Sequence, residues 1–153
     1  MRVRRTAVAV AIAAVFAQLT AVAQSEAKWQ SAWPAFLALL GPEIGPNPMN
    51  PGYQQFYNKV VTWEGVLGAI GADEKARIRI DMAPKQSHGH EVNVQLFAKS
   101  GEFAKWKAAG VGSKIRFRAT IEDSFAILVM RAGGPSGTPV AAVMVKDGEL
   151  LVR

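Results

Sequence analysis

Two short stretches hold side chains of the types that do chemistry. The first is "HGHE", which places His88, His90 and Glu91 within four residues. Two imidazoles and a carboxylate can coordinate a divalent cation, but a stable site needs three or four converging ligands. The chain has no other His and no Cys. His88 and His90 are therefore weak metal candidates, and the sequence predicts no bound cofactor. The second is an alternation of cations and apolar residues. "KARIRID" carries Lys75, Arg77 and Arg79, and "KIRFRATI" carries Lys114, Arg116 and Arg118. Such rows either grip an anion or form the wet side of a strand whose other side is buried. No nucleophile elbow, triad spacing, phosphate loop or justified acid–base carboxylate pair occurs, so no enzymatic activity is expected.

The compartment is read from the N-terminus. "MRVRR" is a basic head, Ala7 to Ala17 is an apolar run, and Ala21-Val22-Ala23 is a small-x-small cleavage site. This pattern predicts a secretory signal over residues 1–23, with Gln24 as the first mature residue. The run falls short of the roughly 20 apolar residues of a membrane span, so no transmembrane anchor is expected after cleavage. A periplasmic or secreted protein follows as the expectation. The 153-residue chain carries 18 basic and 12 acidic residues, a formal charge of +6. Arg2, Arg4 and Arg5 belong to the signal, which leaves the mature chain at +3. So mild an excess aids solubility and does not by itself imply nucleic acid.

The elements that must position these residues fall in two zones. Residues 24–59 open with "SEAKWQSAWPAFLALLG", where Trp29, Trp33, Phe36 and Leu40 share one helical face. Ser25 is the expected cap and Gly41-Pro42 the stop, while Pro34 favours a helix that begins at Trp33. A Pro-rich strap, Gly41 to Gly52, follows, and Tyr53 to Lys59 suits a short helical turn.

Residues 60–153 read as strands. Val60 to Ile70 buries Val61, Trp63 and Leu67, with Gly65 or Gly68 marking a bulge. Lys75 to Met82 turns Ile78, Ile80 and Met82 inward, and Glu91 to Phe97 turns Val92, Val94 and Leu96 inward. Ser100 to Gly110 changes to a helical period, with Ser100 as the expected cap and Phe103 and Trp106 on one face. A fourth strand buries Ile115, Phe117 and Ile121, and Phe125 to Arg131 continues the sheet. Ala132 to Pro139 is a flexible loop. Val140 to Arg153 is one strand, or two joined at the hairpin dipeptide Asp147-Gly148.

Three strands, a short helix and two more strands is the order of a five-stranded Greek-key barrel. "KVVTWEGVLGAI", the two alternating strands after it, the helix before "GVGSKIRFRATI", and "VKDGELLV" resemble small exported bacterial OB-fold proteins. The implied fold is mainly β: a five-stranded OB-fold barrel with a helix between its third and fourth strands, plus an N-terminal helix. The resemblance implies a ligand face on strands two and three. Its outward residues are Arg77 and Arg79, with Arg79 expected opposite Asn93 and Arg77 opposite Gln95. Arg77, Arg79, Asn93 and Gln95 are thus the candidate binding residues.

The expected partner is a protein or cell-envelope component. Nucleic acid is expected to be an unlikely partner, because of the outward aromatics only Phe97 could stack a base. The alternatives are a small-ligand or divalent-metal carrier, an envelope-polymer hydrolase, and a single-stranded nucleic-acid binder. Lys114, Arg116 and Arg118 lie away from the customary ligand strands. They are assigned to ion pairs with Glu64, which should sit between them and the arginines of the second strand.

Overall fold

A computed structural model describes residues 27–40, 51–87, 90–122, 127–131 and 139–151. Two short helices, α1 (Lys28–Ser31) and α2 (Trp33–Leu39), precede a 3-10 turn at Pro51–Phe56. Then come β1 (Val60–Ala69), β2 (Ile78–Asp81), a two-residue β3 (Gln86–Ser87) and β4 (His90–Ala98). Helix α3 (Phe103–Ala109) leads to β5 (Lys114–Ile121), β6 (Ile127–Arg131) and β7 (Pro139–Leu151).

Five strands close a ring. β1 pairs antiparallel with β2 and with β5, and β2 pairs antiparallel with β4. β4 runs parallel to β7, and β7 returns antiparallel to β5. With α3 between the third and fourth barrel strands, this is the OB-fold topology. β3 extends the β4 edge, and β6 lies on the first half of β7.

The two-residue period dictates which residues fill the ring. Val61, Trp63, Leu67, Ile78, Ile80, Val92, Val94, Leu96, Ile115, Phe117 and Ile121 are all buried, as their parity predicts. Ala141, Val143 and Val145 of β7 complete the core. The bulge of β1 falls at Gly68: Leu67 pairs with Ile80, but Ala69 pairs with Arg79. Gly65 keeps the inward parity without a side chain. A Cβ there would stand 2.7 Å from Ile80 Cγ2 and 2.8 Å from Met82 Sδ, so the core occupies its space.

Aromatic rings form a column along the barrel. Trp106 of α3 lies 6.3 Å from Phe117, which lies 6.4 Å from Trp63. Trp33 and Phe36 each stand 5.0 Å from Trp63, and Phe56 stands 5.0 Å from Phe36. The N-terminal helices thus cap one end of the barrel and α3 the other. The buried indoles are hydrogen-bonded, as their burial requires. Trp33 Nε1 donates to Pro84 O at 3.0 Å, Trp63 Nε1 to Trp29 O at 3.0 Å, and Trp106 Nε1 to Gly148 O at 3.3 Å.

Several local expectations are corrected. α2 begins at Trp33, as Pro34 favours, but a separate short helix precedes it across Ala32, and the Ala27 N–H at the start of that helix donates to Gln30 Oε1 at 2.9 Å. Ser25 and residues 41–50 of the strap lie outside the described residues. α3 is capped at Glu102 rather than Ser100, because a turn with Gly101 at φ +81° intervenes. Asp147-Gly148 makes no hairpin. β7 is continuous, and these two residues bulge between the Thr120–Lys146 and Arg118–Glu149 pairs. Asp147 takes φ +55°, and the Gly148 carbonyl receives the Trp106 indole and the Lys99 N–H.

Candidate functional site

The customary ligand face is built by β2 and β4. Its register differs from the expected one: Arg79 stands opposite Gln95, not Asn93, because Ile78 pairs with Leu96 and Ile80 with Val94. The pairing is therefore shifted two residues along β4, a shift that keeps the same faces buried and that parity alone does not decide. Asn93 is buried at 8 % exposure, and Gln95 Nε2 donates to its Oδ1 at 3.3 Å.

The two arginines of this face are held by acids of the same chain. Arg77 Nη1 lies 3.1 Å from Glu122 Oε1, and its guanidinium covers the Phe97 ring, 4.0 Å from the centroid. Arg79 Nε lies 3.1 Å from Asp81 Oδ1, and its Nη2 donates to Gly68 O at 3.4 Å. Gly68 leaves the space that this pair occupies. Arg79 thus faces Gln95, and Gln95 bonds to Asn93, while Arg77 turns to Glu122 and Phe97, so the four candidates do not form one cluster.

The cations of β5 are placed differently. Lys114, Arg116 and Arg118 are exposed, while Ile115, Phe117 and Ala119 between them are buried. Glu64 stands opposite Arg116 in the β1–β5 register. Their charged atoms are 4.0 Å apart, and the side chains are 79 % (Glu64) and 59 % (Arg116) exposed. Neither Arg77 nor Arg79 reaches Glu64, so the expected bridge between two strands reduces to one loose, solvated pair. Among the described residues, Arg118 forms no ion pair within 4.0 Å.

Two grooves meet at this row. One, of about 670 Å³, is lined by Glu64, Gly65, Val66, Asp81, Lys114 and Arg116 among others. The second, of about 550 Å³, runs between α3 and the ends of β5 and β7. Lys114, Ile115 and Arg116 line both and form the ridge between them. Sequence reasoning missed this ridge because strand parity reports which side a residue faces, and not the gap left where a helix meets two strand ends.

His88 lies outside the described residues, as do residues 132–138 of the glycine-rich loop. Nothing is described of the His90 side chain. Among the described residues, no three His, Asp or Glu side chains converge as a metal site. No described helix is long and apolar enough to cross a membrane.

No protein-family model matches the chain, and no curated protein matches it. Among solved structures, the chain is similar to two crystal structures of Rim1, a mitochondrial single-stranded DNA binding protein from S. cerevisiae. One is 16 % identical over 61 % of this chain and 92 % of that chain, with a TM-score of 0.33. The other, selenomethionine-labelled, is 14 % identical over 61 % of this chain and 94 % of that chain, with a TM-score of 0.30. Assignment to the OB-fold rests on the strand pairing. The expectation that nucleic acid is an unlikely partner is corrected, since both of these neighbours are single-stranded DNA binding proteins.

Proposed function

We propose that this chain is an exported, non-enzymatic OB-barrel binding module of the bacterial cell envelope, which holds an anionic ligand along Lys114, Arg116 and Arg118. The observation that carries the site is the meeting of two grooves on a row of exposed cations. The arginines of the β2–β4 face are already matched by Glu122 and Asp81. An anion arriving there must displace a close partner, whereas at Arg116 it meets one solvated pair at 4.0 Å and at Arg118 no ion pair among the described residues. Export is supported by the basic head, the apolar run and the Ala21-Val22-Ala23 site.

The test is the double reversal Arg116→Glu with Arg118→Glu in the mature protein. Partner recovery from envelope extract and the affinity for a fluorescent polyglutamate are both measured. Recovery and affinity are expected to fall at least tenfold while the far-UV circular dichroism is unchanged. Unchanged recovery and affinity in a folded variant would refute the site.

A second reading, single-stranded nucleic acid on the β2–β4 face, is favoured by one observation. Arg77 over Phe97 pairs a guanidinium plane with a half-buried ring, the combination on which bases stack. Phe97→Ala should then weaken oligothymidylate binding and leave polyglutamate binding intact.

A further inference from the structure

The groove beside α3 has a composition that the anion-binding reading does not use. Its floor is apolar: Ala108 and Ala109 from α3, Ile115 from β5, and Leu150 and Leu151 from the end of β7. Its rims are cationic on both sides, with Lys105 on the helix and Lys114 and Arg116 on the strand. No acid lines it. Lys105 is paired with Glu102, 2.7 Å away, which raises its pKa above the usual lysine value, so the strand side carries the less closely matched charge. The alanines matter as much as the leucines, because their small side chains leave the slot open between helix and strand.

A slot of about 550 Å³ is the size of a small-molecule site rather than a macromolecular interface. Such sites are mostly apolar, with a few polar groups that fix orientation. Here the charged groups are all positive, with Ser113 the one neutral polar residue of the lining. The geometry points to a single-chain fatty acid as occupant, its acyl chain along Ala108, Ile115 and Leu150 and its carboxylate at the Lys114–Arg116 ridge. This rests on the ridge being the anion site and names the chemistry of one ligand for it. Free fatty acid is the source the groove suits. A two-chain phospholipid would bring more apolar volume than a slot of about 550 Å³ receives.

The probe is dodecanoate, titrated by calorimetry below its micelle concentration into the mature protein. Dodecanol, octanoate and a lysophospholipid serve as comparison ligands. Saturable binding of dodecanoate is expected, with at least tenfold weaker binding of dodecanol, which lacks the charge, and of octanoate, which lacks chain length. Ala108→Trp fills the slot from an exposed position and should cut dodecanoate affinity at least tenfold. Arg116→Gln should do the same. Absence of saturable dodecanoate binding below millimolar overturns the inference. So does binding that both variants leave unchanged, or a lysophospholipid that outcompetes dodecanoate.

The two readings fail separately. If polyglutamate binds and responds to Arg116→Glu with Arg118→Glu while dodecanoate does not bind, only the groove assignment falls. If dodecanoate binds and responds to Ala108→Trp while polyglutamate does not bind, the acyl site stands, and the polyanion ridge falls.

Discussion

At the scale of residues, charge alone does not mark a binding site; the distance to the nearest acid does. Arg77 and Arg116 both alternate with apolar residues on a strand, and sequence cannot rank them. In the structure, Arg77 is 3.1 Å from Glu122 and lies on Phe97, whereas Arg116 is 4.0 Å from a well-exposed Glu64. Arg77→Ala is therefore expected to act on stability. The half-exposed ion pair contributes up to about 1 kcal/mol, and the cation–π contact about 0.5–1 kcal/mol. A loss of about 1 kcal/mol in urea denaturation, with polyglutamate affinity unchanged, is the expected outcome. A large loss of affinity with no loss of stability would show that Arg77 is held ready for a ligand.

At the scale of elements, the aromatic caps decide whether the barrel holds. The helices α1 and α2 are too short to persist alone, and they stand because Trp33, Phe36 and Leu40 are buried on Trp63 and Phe56. Trp33→Ala removes a buried indole and its bond to Pro84. Such truncations cost about 3–5 kcal/mol, so a matching drop in urea midpoint is expected. Trp106→Phe keeps the ring and loses only the bond to Gly148, which is worth about 0.5–1.5 kcal/mol.

These elements were largely legible in the sequence. The two-residue period placed the inward residues of four of the five barrel strands, though not Ala141, Val143 and Val145 of β7, and the Trp29, Trp33, Phe36 spacing marked the capping helix. Register was not legible. Ile78 and Ile80 can meet Val92 and Val94, or Val94 and Leu96, with the same faces buried. Only closure of the ring against β7 selects between them. Asp147-Gly148 misled for a related reason. The pair favours a turn locally, but at this position a residue with φ +55° and a glycine also make a bulge, and α3 docks on the carbonyl that the bulge exposes.

At the scale of the whole molecule, the ridge gives the surface a directional charge that the modest net excess conceals. Acids match the cations on β2–β4, while Lys114, Arg116 and Arg118 line up on the β5 side. Binding of any polyanion should therefore depend on salt through a small number of cations. For single strands, each neutralised phosphate contributes about −0.7 to the slope of log affinity against log salt. If oligothymidylate lies along the ridge, Arg116→Gln with Arg118→Gln is expected to make that slope shallower by about 1.4. Fluorescence anisotropy across a salt series measures it. An unchanged slope would place the strand elsewhere, on the β2–β4 face.

The strand that closes the ring is also the last of the described strands in chain order. β7 joins β4 to β5, so until it arrives both of those strands present unpaired edges. Its parallel partner β4 lies some fifty residues earlier in the chain, and long-range pairings of this kind form slowly. Until β7 has emerged, the barrel cannot close. The delay leaves it open to whatever engages unfolded chains during that interval, whether a chaperone or a translocation channel.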